Sequence, residues 1–183
     1  MARASASVSA TVMAAMLAAS AAGAGCGMRS PTEARLTLAD ARLTIDQADG
    51  RHHELTLAAS GVVRWDGVEL VTIGKNGALR RGDHELAKVD KHGKMTIGGQ
   101  PTNLAVTPDG VFVLDDVAEL TIDRDGVVAG PLFTSIDHPA VELDGSKVAY
   151  VGPPAARAAT LLGFVTLITP SLAAETPPAA PPR

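Results

Sequence analysis

Apolar and polar residues alternate along the middle of this 183-residue chain, and the alternation recurs with a nearly constant period. Four successive units of 16, 16, 17 and 16 residues open on Gly61, Gly77, Gly93 and Gly110, and Gly126 opens a degraded fifth copy. Turn signatures such as Lys-Asn-Gly and Pro-Asp-Gly end the units, and several units contain a second signature inside. Because such dipeptides supply the positive backbone angles of tight turns, the period predicts one β-hairpin per unit.

Three positions of each unit are apolar. The first position, two residues after each repeat glycine, holds Val63, Leu79, Met95, Phe112 and Val128. The second, four residues before the next repeat glycine, holds Ile73, Val89, Val106 and Ile122. The third, six residues before it, holds Val71, Ala87, Leu104 and Leu120. The positions between them are mostly polar, as at Thr72 and Lys88. Period-two alternation indicates strands with one face toward a core and the other toward water. Each unit therefore predicts one strand of about four residues and one of about six.

Flanking segments extend the pattern on both sides. They are ARLTLADARLTID (34–46), HHELTLAA (52–59), AVEL (140–143) and KVAYV (147–151), with a turn at Asp144-Gly145. About a dozen short strands thus lie between residues 34 and 151, and the predicted fold class of this β-repeat domain is an all-β antiparallel meander. A meander with one apolar face forms a sandwich, a barrel or a solenoid of hairpins, and the pattern leaves these alternatives open.

The pattern changes after Gly152-Pro153-Pro154, and residues 152–174 are predicted to form one apolar C-terminal helix. Its apolar residues are not confined to one stripe, which is typical of a buried helix. The uncharged stretch 158–169 is about 18 Å long as a helix, short of the roughly 30 Å of a membrane core. We expect the helix to pack on the β domain, over positions such as Leu104 and Phe112; a membrane-associated tail is the alternative. The Pro-rich residues 175–183 predict a disordered tail.

The front of the chain has the layout of an export signal. Arg3 is the only charge in the first 28 residues, and the small apolar run VSATVMAAMLAASAAGAG leads to Cys26, the only cysteine. This predicts a signal peptide over residues 1–25. The run resembles the lipobox of bacterial lipoproteins, although Gly23 stands where that family usually has Leu. The resemblance implies a lipid on Cys26, a linker over 26–33 and attachment to a membrane of the bacterial cell envelope; the alternative is a soluble periplasmic or secreted protein.

Composition excludes several classes of site. A single cysteine makes no internal disulfide and no Cys-based zinc or iron–sulfur centre. Without Arg3, 15 basic residues face 20 acidic ones, so the mature chain carries about −5. With 3% aromatic residues and no basic stripe, a nucleic-acid partner is not expected.

Candidate catalytic groups are scattered. The histidines at 52 and 53 are neighbours and point to opposite faces of a strand, while Asp115-Asp116, DRDG (123–126) and LDGS (143–146) fall at predicted turns. No catalytic residue, metal site or cofactor is therefore predicted. Trp65, at the end of a first strand, is the one candidate anchor for a partner.

These features favour a non-enzymatic envelope lipoprotein that acts as a structural or protein-interaction module. Its predicted contacts are the membrane, through a lipid on Cys26, and an unidentified envelope protein or ligand. The alternative function is that of a carrier, with a small apolar ligand in a cavity of a β-barrel. An enclosed cavity would favour the carrier, and a filled core would favour the module.

Overall fold

A computed structural model describes residues 36–132 and 141–169 of the chain. It contains twelve strands: β1 (Ala41–Asp46), β2 (His52–Leu57), β3 (Val62–Trp65), β4 (Val68–Ile73), β5 (Ala78–Arg81), β6 (His84–Val89), β7 (Lys94–Ile97), β8 (Gln100–Val106), β9 (Val111–Leu114), β10 (Val117–Ile122), β11 (Val128–Ala129) and β12 (Lys147–Val151). A 3₁₀ turn, Pro154–Ala156, leads into one helix, α1 (Arg157–Ile168). The all-β prediction with one C-terminal apolar helix is confirmed.

The sheet is an antiparallel meander that curls into a nearly closed barrel. Consecutive strands pair from β1 to β11, and β12 pairs with the other edge of β1. An isolated bridge joins Val127 to Ala149, and the Tyr150 amide donates to the Gly126 carbonyl over 2.6 Å, so the two ends of the sheet meet beside β12. Of the three architectures left open by the sequence, the barrel is the one that forms.

The repeat behaves as predicted. Each of the four complete units forms one strand of four residues followed by a longer one, such as β3 with β4 and β5 with β6, whereas the unit that opens at Gly126 contributes the two-residue β11. Of the apolar repeat positions, all are buried except Leu104, which is partly buried against the core. The residues between them, including Thr72 and Lys88, face outward and are partly exposed.

Two predicted strand segments are wrong in part. The first strand begins at Ala41, and the described residues before it lie outside the sheet, where the Leu36 amide donates to the Lys75 carbonyl over 3.4 Å. Residues 141–143 form no strand. Val141 and Leu143 are nevertheless buried. The apolar alternation thus predicted the burial of this segment correctly, but the strand pairing that it also predicted does not form.

Helix α1 lies inside the barrel. It contacts β1, β2 and β4 on one side and β9 about half-way round the sheet. Ten of its twelve residues are buried, with Leu161, Leu162, Phe164 and Ile168 at 0% exposure. The sequence predicted a helix packed on one apolar face; the nearly closed sheet instead curls around it, so that strands on opposite sides contact it and its buried residues do not form a single stripe.

The dimensions of helix and barrel match. Twelve helical residues rise about 18 Å, and a six-residue strand spans about 20 Å. Barrels of eight strands are filled by side chains, whereas those of sixteen or more leave a channel, so a twelve-stranded barrel has room for a helix. Gly163 allows the close approach, because a Cβ there would lie 3.1 Å from Val63 Cγ1. Within the described ranges, no helix has both the length and the apolarity to cross a membrane.

Two hydroxyls are buried in this apolar centre. Thr160 Oγ1 donates to the Ala156 carbonyl over 3.1 Å, and Thr166 Oγ1 donates to the Leu162 carbonyl over 2.8 Å. Both acceptors lie four residues earlier in the chain, Leu162 within α1 and Ala156 in the 3₁₀ turn before it, and the bonds satisfy hydroxyls that would be costly to bury alone.

Candidate functional site

The two ends of the barrel are built from different turns. The glycine end consists of the turns 58–61, 74–77, 90–93, 107–110 and 123–126, together with the start of α1. The acidic end consists of the turns 47–51, 66–67, 82–83, 98–99 and 115–116, together with residues 141–146. The helix enters at the glycine end, where a Cβ on Gly110 would lie 2.7 Å from Arg157 Cβ.

Charge separates the two ends. At the acidic end, eight described acidic residues lie in the turns or next to them: Asp46, Asp49, Asp66, Asp83, Asp115, Asp116, Glu142 and Asp144. Arg51, Arg81 and Lys147 are the basic residues there. The same count at the glycine end includes the residues that lead into β1. It gives five acidic residues, Asp40, Asp90, Asp109, Asp123 and Asp125, and five basic ones, Lys75, Lys91, Lys94, Arg124 and Arg157. One end is therefore negative and the other balanced.

Trp65 lies on the inner rim of the acidic end. It pairs with Leu55, whose side chain is fully buried, and it packs half-buried against the core. The ring of His53 stacks on the indole with centroids 5.0 Å apart and planes 22° apart. His53 Nδ1 lies 2.8 Å from Asp66 Oδ2, so the turn residue fixes the ring that covers the tryptophan.

Asp66 is held by two partners. Its Oδ1 accepts a hydrogen bond from the Glu54 amide over 2.9 Å, in addition to the contact with His53. Burial raises the pKa of the Asp66 carboxyl, but these hydrogen bonds outweigh it and the pKa lies below its ordinary value. Since the folded pKa is depressed, the stabilisation is present above the ordinary pKa of Asp and is lost as pH falls through the folded value.

Apolar side chains are exposed beside two of these turns. Val68, across the 66–67 turn from Trp65, is 71% exposed, and Val117 is 58% exposed beside the 115–116 turn. In that second turn, Asp115 and Asp116 have φ values of 50° and 64°, a conformation that favours glycine. The pair was predicted to be a turn rather than a catalytic carboxylate pair, and it does connect β9 to β10.

A small depression opens between the 47–51 turn and residues 142–146. It has a volume of about 90 Å³ and is lined by Gln47, Ala48, Asp49, Arg51, Glu142, Asp144 and Ser146. Gln47 is only 8% exposed, and its Nε2 donates to the Glu142 carbonyl over 2.9 Å. Its buried Oε1 has no hydrogen-bond partner among the described residues.

Arg51 organises the carboxylates around this depression. Its Nε lies 2.6 Å from Asp49 Oδ2, and its Nη2 lies 3.8 Å from Glu142 Oε2. The Arg51 amide also donates to Asp49 Oδ1 over 3.0 Å, and together with the guanidinium it lowers the pKa of Asp49 below its ordinary value. Three carboxylates and one guanidinium leave the depression negatively charged.

The other candidates are accounted for by local structure. Asp123 Oδ1 accepts hydrogen bonds from the Asp125 and Val127 amides, so the DRDG segment is a turn closed by its own carboxylate. The His52 ring contacts Asp46 on the outside of the barrel, and among the described residues no group of three or more His, Cys, Asp or Glu is arranged to hold a metal ion. Cys26 and His138 lie outside the described residues.

Sequence reasoning missed Gln47, although a signal was present. Leu43 and Ile45 face the core, and Gln47 continues this alternation as a polar residue in an inward position. A polar residue at a core position is more informative than an exposed apolar one.

The fold and the site define a β-meander barrel wrapped around its own helix, with a negatively charged end. No family model, curated protein or solved structure matches this chain.

Proposed function

We propose that this chain is a non-enzymatic, lipid-anchored protein of the bacterial cell envelope that serves as a structural or protein-interaction module. The lipid is carried by Cys26, and the partner is another envelope protein. The observation that supports a module over a carrier is the occupied interior, because α1 takes the place that an apolar ligand would need. The groove of about 400 Å³ that residues of β1 and β2 such as Arg42 and Thr56 line is on the outer surface of the barrel and not in its interior.

The acidic end has the features of a contact surface. Exposed apolar side chains such as Val68 and Val117 lie among like charges, and a field of one sign steers a partner of opposite charge. Trp65 stands half-buried at the same rim, where His53 and Asp66 hold its position.

Cell fractionation with intact mass measurement tests the anchor. We expect the wild-type chain in the membrane fraction, with the mass of a chain that begins at Cys26 and carries lipid, and we expect Cys26→Ser in the soluble fraction. If both chains are soluble and cleaved at the same bond, the protein is a plain secreted or periplasmic one. If both stay in the membrane without lipid, the anchor lies elsewhere.

A further inference from the structure

The orphan acceptor at Gln47 sets this depression apart from the other turns. A buried carbonyl oxygen that has lost water without gaining a donor is unfavourable, so a group with N–H or O–H donors is stabilising there. The Nε2 bond to the Glu142 carbonyl fixes the orientation of the amide, so Oε1 is the amide atom that is left without a partner. A donor that reaches Oε1 from the depression would therefore be stabilising.

The charges around Gln47 determine which kind of hydrogen-bond donor is favoured in the depression. Asp49, Glu142 and Asp144 surround it with negative charge, and Arg51 neutralises only part of it. A cationic donor fits this environment better than a hydroxyl or an amide. A carboxylate or phosphate ligand is disfavoured by the same charges.

Size selects among cations. A volume of about 90 Å³ accommodates a compact group. An ammonium is a small point charge with three donors on a slender aliphatic stem, whereas a guanidinium is a wider planar fork with five donors. The exposed apolar side chains of the acidic end would meet whatever carries the amine.

We propose that the depression at Gln47 binds a protonated primary amine, and that the amine is a lysine side chain of a basic partner protein. Gln47 Oε1 accepts from the ammonium at the inner end, and the carboxylates of Asp49, Glu142 and Asp144 surround it. The assignment to a partner protein rests on the proposed function, whereas amine binding itself does not depend on lipidation.

Nuclear magnetic resonance of the full chain carrying Cys26→Ser tests this proposal without the anchor. The probe is a capped Gly-Lys-Gly peptide, and the matched control replaces Lys with norleucine, which has the same stem without the charge. We expect a saturable shift of the Gln47 side-chain amide with the lysine peptide alone, and a weaker effect at higher salt.

Variants locate the binding. Asp49→Asn and Glu142→Gln change exposed side chains and remove one charge each. Each is expected to lower the affinity of the chain for the lysine peptide by about two- to fivefold. Asp109→Asn, a matched change at the glycine end, is expected to leave binding unaltered. Equal weakening by Asp109→Asn would mean that net charge alone attracts the peptide, and the site would be rejected.

Two further outcomes are decisive. If the norleucine peptide shifts the Gln47 amide as strongly as the lysine peptide, or if neither the peptides nor free butylamine shifts it, amine binding is wrong. If free butylamine binds while the lysine peptide does not, the amine site stands and its assignment to a partner protein is overturned.

Discussion

The two ends of the barrel use glycine for different purposes. At the glycine end, a Cβ on Gly61, Gly77 or Gly93 would lie 2.0 to 2.4 Å from the carbonyl oxygen of a neighbouring strand. At the acidic end, nothing lies within 4 Å of the same position on Gly50, Gly67, Gly82 or Gly99. All of these glycines have positive φ. The four acidic-end glycines named here are required for backbone conformation alone, whereas Gly61, Gly77 and Gly93 are required for both conformation and close packing.

This difference assigns a role to each end. The glycine end ties together the two strands of each hairpin, because amides such as that of Val89 donate to the carbonyl of the repeat glycine in the same unit, over 2.9 Å for Val89 and Gly77. The acidic end carries turns with open space around their glycines, so packing constrains their side chains less. The following tests compare the two ends, beginning with the helix that both depend on.

The largest effect is expected from the helix. Phe164→Ala removes a fully buried ring from the centre of the barrel, and such a change costs about 3–5 kcal/mol of unfolding free energy. Urea denaturation followed by circular dichroism measures this cost. Val151→Ala, on an outward side chain that is 56% exposed, is the control and is expected to change stability by less than about 0.5 kcal/mol. A loss below about 1 kcal/mol for Phe164→Ala would contradict a central, tightly packed helix.

A pair of alanine substitutions separates the two ends directly. Gly82→Ala, in open space with φ of 58°, is expected to cost about 1 kcal/mol from backbone strain. Gly77→Ala adds a clash with the Val89 carbonyl, 2.3 Å from the new Cβ, and is expected to cost about 1–3 kcal/mol more.

Melting temperatures and urea midpoints of the two alanine variants provide the comparison. Lys75→Ala, a side-chain change in the same turn as Gly77, is the control and is expected to be nearly neutral. Equal costs at Gly77 and Gly82 would show that the two ends do not differ in packing.

The smallest predicted effect is a change in unfolding free energy that has opposite signs at the two ends. Asp116 has φ of 64°, so Asp116→Gly relieves strain and is expected to stabilise the chain by about 0.5 kcal/mol after the entropy of the unfolded chain is included. Asp109→Gly, in a turn of the glycine end where φ is not positive, is expected to destabilise by about 0.5–1 kcal/mol. The same sign for both variants in urea denaturation would remove the strain assigned to the 115–116 turn.

The hairpins could be predicted because the residues that specify each hairpin lie within the same unit of the repeat. Strand lengths, turn positions and inward side chains depend on neighbours within about sixteen residues, and Val63, Leu79 and Phe112 are buried as their spacing indicated. Closure could not be predicted in this way. The pairing of Thr44 with Ala149 joins residues 105 positions apart, and alternation specifies which face is buried without naming the partner strand.

The site was harder to predict than the fold. Trp65 could be selected by its rarity, but its stacking on His53 follows from the register between β2 and β3. The depression at Gln47 depends on Glu142, which reaches it only when β12 pairs with β1. Residues that are distant in sequence and polar in type leave no periodic signal.

The placement of α1 at the centre of the core has a consequence for the order of assembly. During synthesis, which proceeds from the N-terminus to the C-terminus, every strand of the barrel emerges before Arg157–Ile168. Until the helix arrives, the strands lack the side chains that cover their apolar faces, and the β1–β12 closure also waits for a late segment. Contacts of such long sequence separation form slowly. The core is therefore incomplete until Arg157–Ile168 is released, so the last element of the chain to be made is the one around which all the others pack.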